Sequence, residues 1–111
     1  MSYLHQELAG GKWNTISFFE QMANIGSEIG RTMAWRSKNA PYSQQAFDRA
    51  LELLDLTIND SKNAGRLKEL LRVREILIDY FQCDNQYGSN DTLWENYFYC
   101  FNYAARNQTL V

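Results

Sequence analysis

Histidine and cysteine are scarce in this chain, and their scarcity argues against several kinds of metal and catalytic site. The 111 residues include one histidine, His5, and two cysteines, Cys83 and Cys100. Structural zinc sites combine several cysteines and histidines, and di-iron bundles use Glu-x-x-His pairs, so the sequence predicts neither centre and no bound cofactor. Neither cysteine has a histidine nearby in sequence to activate it as a nucleophile. These absences favour a protein that is not an enzyme.

The two cysteines also indicate a redox setting. They lack the Cys-x-x-Cys spacing of redox and metal-binding motifs. The first residues show no basic segment followed by an apolar run, so we expect no signal peptide. Isolated cysteines without such a signal predict free thiols in a reduced, cytoplasmic setting, with a Cys83–Cys100 disulfide as the alternative.

Long apolar runs and a strong excess of either charge are also missing. No stretch approaches the roughly 20 apolar residues that a membrane-spanning helix needs, so we expect no membrane partner. A net charge of −2 argues against attraction of the whole molecule to nucleic acid. Its length and its hydrophobic content of 45% are those of an ordinary folded domain, which predicts a single domain over residues 1–111.

Proline occurs once, at Pro41, and no segment shows the two-residue alternation of a strand. Apolar residues instead recur every three to four positions, which predicts four long helices. The predicted helices cover residues 13–35, 42–59, 64–81 and 91–106, with a short helical turn over 2–9 before them. The short connections between these helices predict an all-α antiparallel up-down bundle.

The first predicted helix carries a row of small residues beside its apolar face. Gly26 and Gly30 lie one turn apart, and each lowers helix propensity by roughly 1 kcal/mol relative to alanine. This pattern predicts that a neighbouring helix packs closely against the backbone, with a bound flat ligand as the alternative. The same spacing occurs in paired membrane helices, but Glu20, Glu28 and Arg31 interrupt this segment.

Three segments of the chain resemble a family of short, uncharacterised archaeal and bacterial proteins. The segments are SFFEQMANIGSE, AFDRALELLDLTI and RLKELLRVREILIDYF, and the resemblance extends roughly from Trp13 to Phe101. It implies an all-α bundle in a small cytoplasmic protein. Because that family has no established activity, the resemblance supplies no catalytic residues.

Three carboxylates mark one face of the second predicted helix. Asp48, Glu52 and Asp55 are spaced so that they share this face, where they could hold Mg²⁺. The Glu-x-x-Asp piece is similar to all-α nucleotide pyrophosphohydrolases, which implies a Mg²⁺-dependent phosphohydrolase as an alternative function. Those enzymes need a second acidic pair, and Glu20 and Glu28 lack that spacing. Because the acidic face lies opposite the apolar one, we expect it to be solvated.

Arg74 falls in the middle of the apolar arc of the third predicted helix, which comprises Leu67, Leu70, Leu71, Leu77, Ile78 and Phe81. A charge that faces the core must be paired or must reach solvent along its aliphatic stem. We therefore predict a buried ion pair between Arg74 and Glu28 or Glu20 of the first helix. An anchor for a bound ligand is the alternative.

Basic residues around the third predicted helix raise a further alternative, an RNA-associated bundle. The cluster comprises Lys62, Arg66, Lys68, Arg72 and Arg74. The simpler prediction is that these residues pair with Glu69, Glu75 and Asp79 along the same helix. The acidity of the whole chain argues against nucleic acid as a partner.

Tyr99 and Tyr103 project from the side of the fourth predicted helix that lies opposite its apolar stripe. Exposed aromatic side chains commonly anchor another protein. They predict a surface for a homodimer or another protein partner, with an intramolecular contact to the N-terminal turn or a loop as the alternative. The sequence thus predicts a cytoplasmic interaction module that self-associates.

Overall fold

Four α-helices make up most of the computed structural model, which describes residues 11–109 and the side chains of residues 11–107. They are α1 (Phe18–Trp35), α2 (Ala40–Ile58), α3 (Leu67–Gln82) and α4 (Asp91–Thr109). Two 3₁₀ helices, Lys12–Thr15 and Ser61–Arg66, precede α1 and α3. No strand occurs within residues 11–109, and the predicted all-α class is confirmed. The predicted turn over 2–9, with His5, lies outside the described residues.

The helices form the antiparallel bundle that was predicted, with α1 at its centre. α1 packs along α2 on one side and along α4 on another, and α2 in turn carries α3. Phe18 at the start of α1 contacts Phe101 in the second half of α4, with ring centroids 5.7 Å apart. At the opposite end, Arg36 pairs with Asp91 at the start of α4. α3 and α4 approach each other less closely, and a groove separates them.

α1 begins later than predicted because Ser17 is its N-cap residue. The Ser17 hydroxyl accepts a hydrogen bond of 3.1 Å from the Glu20 backbone N–H, which satisfies one of the unpaired donors at the helix start. A serine followed three residues later by glutamate is the capping-box pattern. The predicted helix over residues 13–35 wrongly included this serine as an interior residue. Trp13 instead lies in the preceding 3₁₀ helix, where its side chain is buried.

All four α-helices contribute to one hydrophobic core. The largest buried apolar side chains at its centre are Met22, Ile25, Ile29, Phe47, Leu54, Leu70 and Leu77. Trp13 closes the core from outside α1, and Trp94 and Phe98 close it from α4. Among residues 11–109, none of the helices combines the length and apolarity needed to cross a membrane.

Candidate functional site

The most exposed aromatic side chains described lie together on the outer face of α4. Tyr99 and Tyr103 are 66% and 60% exposed. Within residues 11–107 neither ring stacks on another aromatic ring, and neither hydroxyl makes a hydrogen bond. We call this pair the tyrosine face. The alternative contact with the segment over 2–9 lies outside the described residues.

A shallow groove runs beside the tyrosine face, between α1 and α4. This α1–α4 groove measures about 180 Å³ and is lined by Gly30 and Met33 from α1 and by Tyr99 from α4. A Cβ added at Gly30 would meet nothing within 4 Å, whereas a Cβ added at Gly26 would lie 2.7 Å from Phe98 Cβ. The close approach predicted from the small residues therefore occurs at Gly26, and Gly30 leaves open space next to Tyr99.

Arg74 forms an ion pair with Asp55 of α2. The Nε–Oδ1 distance is 2.7 Å, and the two side chains are 35% and 44% exposed. The predicted pairing with Glu28 or Glu20 is wrong, because α3 packs against α2 whereas both glutamates lie on α1. The pair is half-exposed rather than buried.

The apolar arc of α3 is rotated from the predicted one, which explains the position of Arg74. The buried apolar residues of α3 are Leu70, Val73 and Leu77, whereas Leu67 and Leu71 are exposed. The sequence prediction included both exposed leucines and omitted Val73. Arg74 therefore lies at the edge of the arc, within reach of solvent.

Glu28 is the buried carboxylate between α1 and α2, and two arginines neutralise it. Arg31 Nη1 lies 2.6 Å from one carboxylate oxygen, and Arg49 Nε lies 3.0 Å from the other. Glu20, in the first turn of α1, is partly buried. Glu28 thus links two helices, and its two bound cations leave it no role as a partner for Arg74.

The acidic face of α2 is engaged by neighbouring side chains. Asp48 accepts a hydrogen bond of 2.9 Å from Gln44, Asp55 holds Arg74, and Glu52 is partly buried. Among residues 11–109, no group of three or more histidine, cysteine, aspartate or glutamate side chains could hold a metal ion. The geometry thus gives no support to the Mg²⁺ site considered from the sequence.

The basic cluster of the third predicted helix is dispersed. Lys62 pairs with Asp60, and the guanidinium of Arg66 lies 4.2 Å from the centroid of the Phe18 ring. The predicted pairing with acids of the same helix is wrong, because among the described residues no ion pair joins the basic cluster to Glu69, Glu75 or Asp79. Glu69 accepts from the Tyr97 hydroxyl, Glu75 accepts from the Tyr87 hydroxyl, and Asp79 accepts from the backbone N–H groups of Gln86 and Tyr87.

A buried polar network that the sequence reasoning missed joins the start of α1 to the α2–α3 connection. The Gln21 amide nitrogen donates to Trp13 O and to Asp60 Oδ2, and its oxygen accepts from Asn63. The Trp13 indole donates to the Thr57 hydroxyl at 2.9 Å. All five residues are buried. The signal was present, since Gln21 lies at an inward position of the helical period of α1.

This network also sets the ionisation of Asp60. Burial raises the pKa of the Asp60 carboxyl, but hydrogen bonds from Lys62 and Gln21 outweigh that effect and hold the pKa below its usual range. The carboxylate is therefore charged at neutral pH and fixes the chain before α3. This arrangement is structural, because every polar group named here has a partner within the protein.

A larger groove lies between α3 and α4 and measures about 330 Å³. We call it the α3–α4 groove. Its apolar wall is formed by Val73, Ile76, Leu93, Trp94 and Tyr97. Trp94 also borders the α1–α4 groove. Its indole N–H is buried and has no acceptor among the described residues, which is a costly state for a polar group.

Two tyrosine hydroxyls fix the rim of the α3–α4 groove. The Tyr97 hydroxyl donates to Glu69 across 3.2 Å, and the Tyr87 hydroxyl donates to Glu75 across 2.8 Å. Burial and the charge of Glu69 raise the pKa of the Tyr97 phenol, so it stays a neutral donor. Arg72 also lines this groove and lies within 4 Å of no described carboxylate.

Comparison with known protein families, with curated proteins and with solved structures finds no match. The resemblance to a family of short uncharacterised proteins therefore stays a prediction. Cys83 and Cys100 are exposed free thiols, so the disulfide alternative is wrong. What the described residues offer is an exposed aromatic surface on α4 and an apolar groove beside α3, both of which suit binding.

Proposed function

We propose that this chain is a non-enzymatic cytoplasmic interaction module that self-associates through the tyrosine face of α4. The observation that carries the proposal is the exposure of Tyr99 and Tyr103 on one face without a described partner. Tyrosine is enriched in protein interfaces because its ring adds apolar area while its hydroxyl can still be hydrated or hydrogen-bonded.

The free energy gained by burying the tyrosine rings predicts a reversible dimer. A two-fold dimer uses the same patch on both copies, so it would bury four tyrosine side chains. Burying each ring contributes about 1.5–3 kcal/mol. Losing translational and rotational freedom costs at least about 4 kcal/mol. The tyrosine face therefore supports an affinity no tighter than about micromolar.

The α1–α4 groove gives a second copy a place to fit. Gly30 has open space above its backbone, and Tyr99 stands beside it. In a two-fold arrangement, a tyrosine of one copy can lie over Gly30 of the other, and the reciprocal contact forms by symmetry. The open space at Gly30 and the exposed tyrosine rings thus lie side by side at this edge of the bundle.

Sedimentation velocity over a range of concentrations tests this proposal. We expect the wild type to pass from monomer to dimer, and we expect the double variant Tyr99→Ala/Tyr103→Ala to stay monomeric with an unchanged circular dichroism spectrum. Tyr42→Ala is the matched control, because Tyr42 is an exposed tyrosine on α2 that contacts Trp35. A wild type that remains monomeric near millimolar concentration contradicts the proposal, and so does a double variant that dimerises like the wild type.

A further inference from the structure

We propose that the α3–α4 groove is a binding site for a small amphipathic carboxylate, a molecule with an apolar body and one carboxylate group. This site is separate from the tyrosine face, because Leu93, Trp94 and Tyr97 line the groove from a different side of α4. The inference does not depend on self-association.

The shape and lining of the groove define the apolar body. Its volume of about 330 Å³ lies at the small end of the range for ligand pockets, about 300–1,000 Å³. The wall combines aliphatic Val73, Ile76 and Leu93 with the rings of Trp94 and Tyr97. Leu93 is 48% exposed, so the surface that a ligand would cover is open to solvent in the unliganded protein.

The charges at the rim define the head group. The two carboxylates beside Arg72 on α3 already accept a tyrosine hydroxyl each, Glu69 from Tyr97 and Glu75 from Tyr87. Arg72 is the cation that lines the groove, and it lies within 4 Å of no described carboxylate, although Glu69, one helical turn away, also lines the groove. A guanidinium binds a carboxylate with two parallel hydrogen bonds, which makes an acid the complementary ligand.

The indole N–H of Trp94 is the second, independent observation. It is buried without an acceptor among residues 11–107, and such a donor destabilises the protein by about 1–3 kcal/mol. Because the nitrogen itself is closed to solvent, a ligand oxygen in the groove that Trp94 lines reaches it only when the ring shifts. The proposed ligand is therefore an acid whose oxygen atoms accept from Arg72 and, after that shift, from Trp94.

Calorimetric titration tests the head group with three probes of one chain length: octanoate, 1-octanol and octylamine. We expect saturable binding of octanoate and about tenfold or more weaker binding of the other two, because a hydrogen bond to a charged group is worth more than a neutral one. The protein is used at concentrations where sedimentation shows a monomer. Absence of saturable octanoate binding overturns the proposal, and so does equal affinity for octylamine.

Two variants with matched controls locate the site. Arg72→Gln should weaken octanoate binding about tenfold or more, whereas Lys68→Gln removes the same charge from an exposed position of α3 that does not line the groove. Leu93→Ala should weaken octanoate binding, whereas Leu71→Ala removes a leucine of nearly equal exposure from outside the groove. Equal losses in variant and control would show nonspecific attraction and overturn the site.

An NMR measurement follows the tryptophan directly. In ¹H–¹⁵N spectra, octanoate should shift the indole signal of Trp94 and leave that of Trp13, which already donates to Thr57. The two signals are assigned with Trp94→Phe and Trp13→Phe. A Trp94 indole signal that stays in place at saturating octanoate overturns the role given to this N–H.

Discussion

At the scale of single residues, burial decides more than charge how much a polar side chain contributes to the stability of this protein. Gln21 is a neutral side chain with a buried amide that serves three partners, whereas Arg74 carries a full charge at a half-exposed position. In the sequence, Arg74 stands out because it is a charged residue within an apolar arc. Burial makes Gln21 the more consequential residue for stability.

Two substitutions test that ranking. Gln21→Leu removes the hydrogen bonds that Gln21 makes to Trp13 O, to Asp60 and from Asn63. A buried hydrogen bond contributes about 0.5–1.5 kcal/mol, and one to a charged group about 1.5–3 kcal/mol. We expect the substitution to lower the free energy of unfolding by at least about 2 kcal/mol. Arg74→Ala should cost only about 0–1 kcal/mol, because ion pairs open to solvent contribute little.

Denaturant unfolding monitored by circular dichroism provides both values. Lys68→Ala serves as the baseline for removing an exposed cation from α3. A larger loss for Arg74→Ala than for Gln21→Leu would reverse the ranking and restore Arg74 as a buried anchor.

The same residues show how far sequence reasoning reaches at this scale. The helical period placed Arg74 among apolar residues, and Glu28 was considered as its buried partner; Glu28 is buried, but with Arg31 and Arg49. The partner of Arg74 was not predictable, because the sequence pattern does not decide whether Arg74 or its neighbour Val73 faces the core. Gln21 was overlooked because glutamine is usually found at the surface, although the position of Gln21 in the helical period of α1 faces the core.

At the scale of elements, the packing of α1 against α4 depends on one glycine. Gly26 lets the Phe98 side chain approach the α1 backbone, and Gly30, one turn later, borders open space. The sequence pattern presents the two glycines as equivalent. Only the position of α4 separates them, and the sequence does not state which helix lies beside α1.

Alanine at each glycine gives opposite results. Gly30→Ala should stabilise the protein by about 0.5–1 kcal/mol, because alanine favours a helix and meets no neighbour. Gly26→Ala places a methyl group 2.7 Å from Phe98 Cβ, an atom held close to the α4 backbone. Overpacking of about 1–3 kcal/mol then outweighs the gain in propensity.

Thermal unfolding of the two variants, at concentrations where the protein is monomeric, measures the contrast. Gly30→Ala should melt above the wild type and Gly26→Ala below it. A Gly26→Ala variant as stable as Gly30→Ala would mean that α4 moves away at no cost, which the close contact argues against.

Helix boundaries reflect a further difference between pattern and structure. The periods of apolar residues located all four helices, and the single proline lies in the first turn of α2. The start of α1 was misplaced because Trp13 fits the helical period although Ser17 caps the helix. The 3₁₀ helix Ser61–Arg66 replaced the first turn of the predicted third helix, since Asp60 and Asn63 are fixed by Gln21.

At the scale of the whole molecule, two carboxylates couple stability to acid. Hydrogen bonds from the Tyr80 hydroxyl and from Arg36 hold the pKa of Asp91 below its ordinary value of 3.8, despite partial burial. The Asp60 pKa is lowered as well. A carboxylate with a lowered pKa in the folded state stabilises the protein above its unfolded pKa, and that stability is lost as the pH falls through the folded pKa.

We therefore expect the free energy of unfolding to fall as the pH drops below about 4. Asp60→Asn and Asp91→Asn should each lower stability at pH 7 and flatten the acid limb of the curve. Urea unfolding between pH 7 and pH 2 measures this, with Asp48→Asn as an exposed control. An acid limb as steep in both variants as in the wild type would assign the acid sensitivity to other groups.

The all-α antiparallel architecture follows from sequence periodicity, whereas both candidate binding surfaces depend on which helices become neighbours. Tyr99 and Tyr103 could be assigned to a surface because they lie opposite an apolar stripe. The α3–α4 groove could not, because Trp94 and Val73 both belong to ordinary core patterns. Only their separation across two diverging helices exposes a cavity between them.

The attachment of α3 has a dynamic consequence. α1 is held on two sides, whereas α3 is secured chiefly by α2. Local opening should therefore begin at α3, whose amide protons exchange with solvent earliest, while those of α1 exchange last. Such fluctuations would widen the entrance beside Leu93 without disturbing the outer surface of α4, so admission of a small acid and pairing of two copies would draw on separate motions.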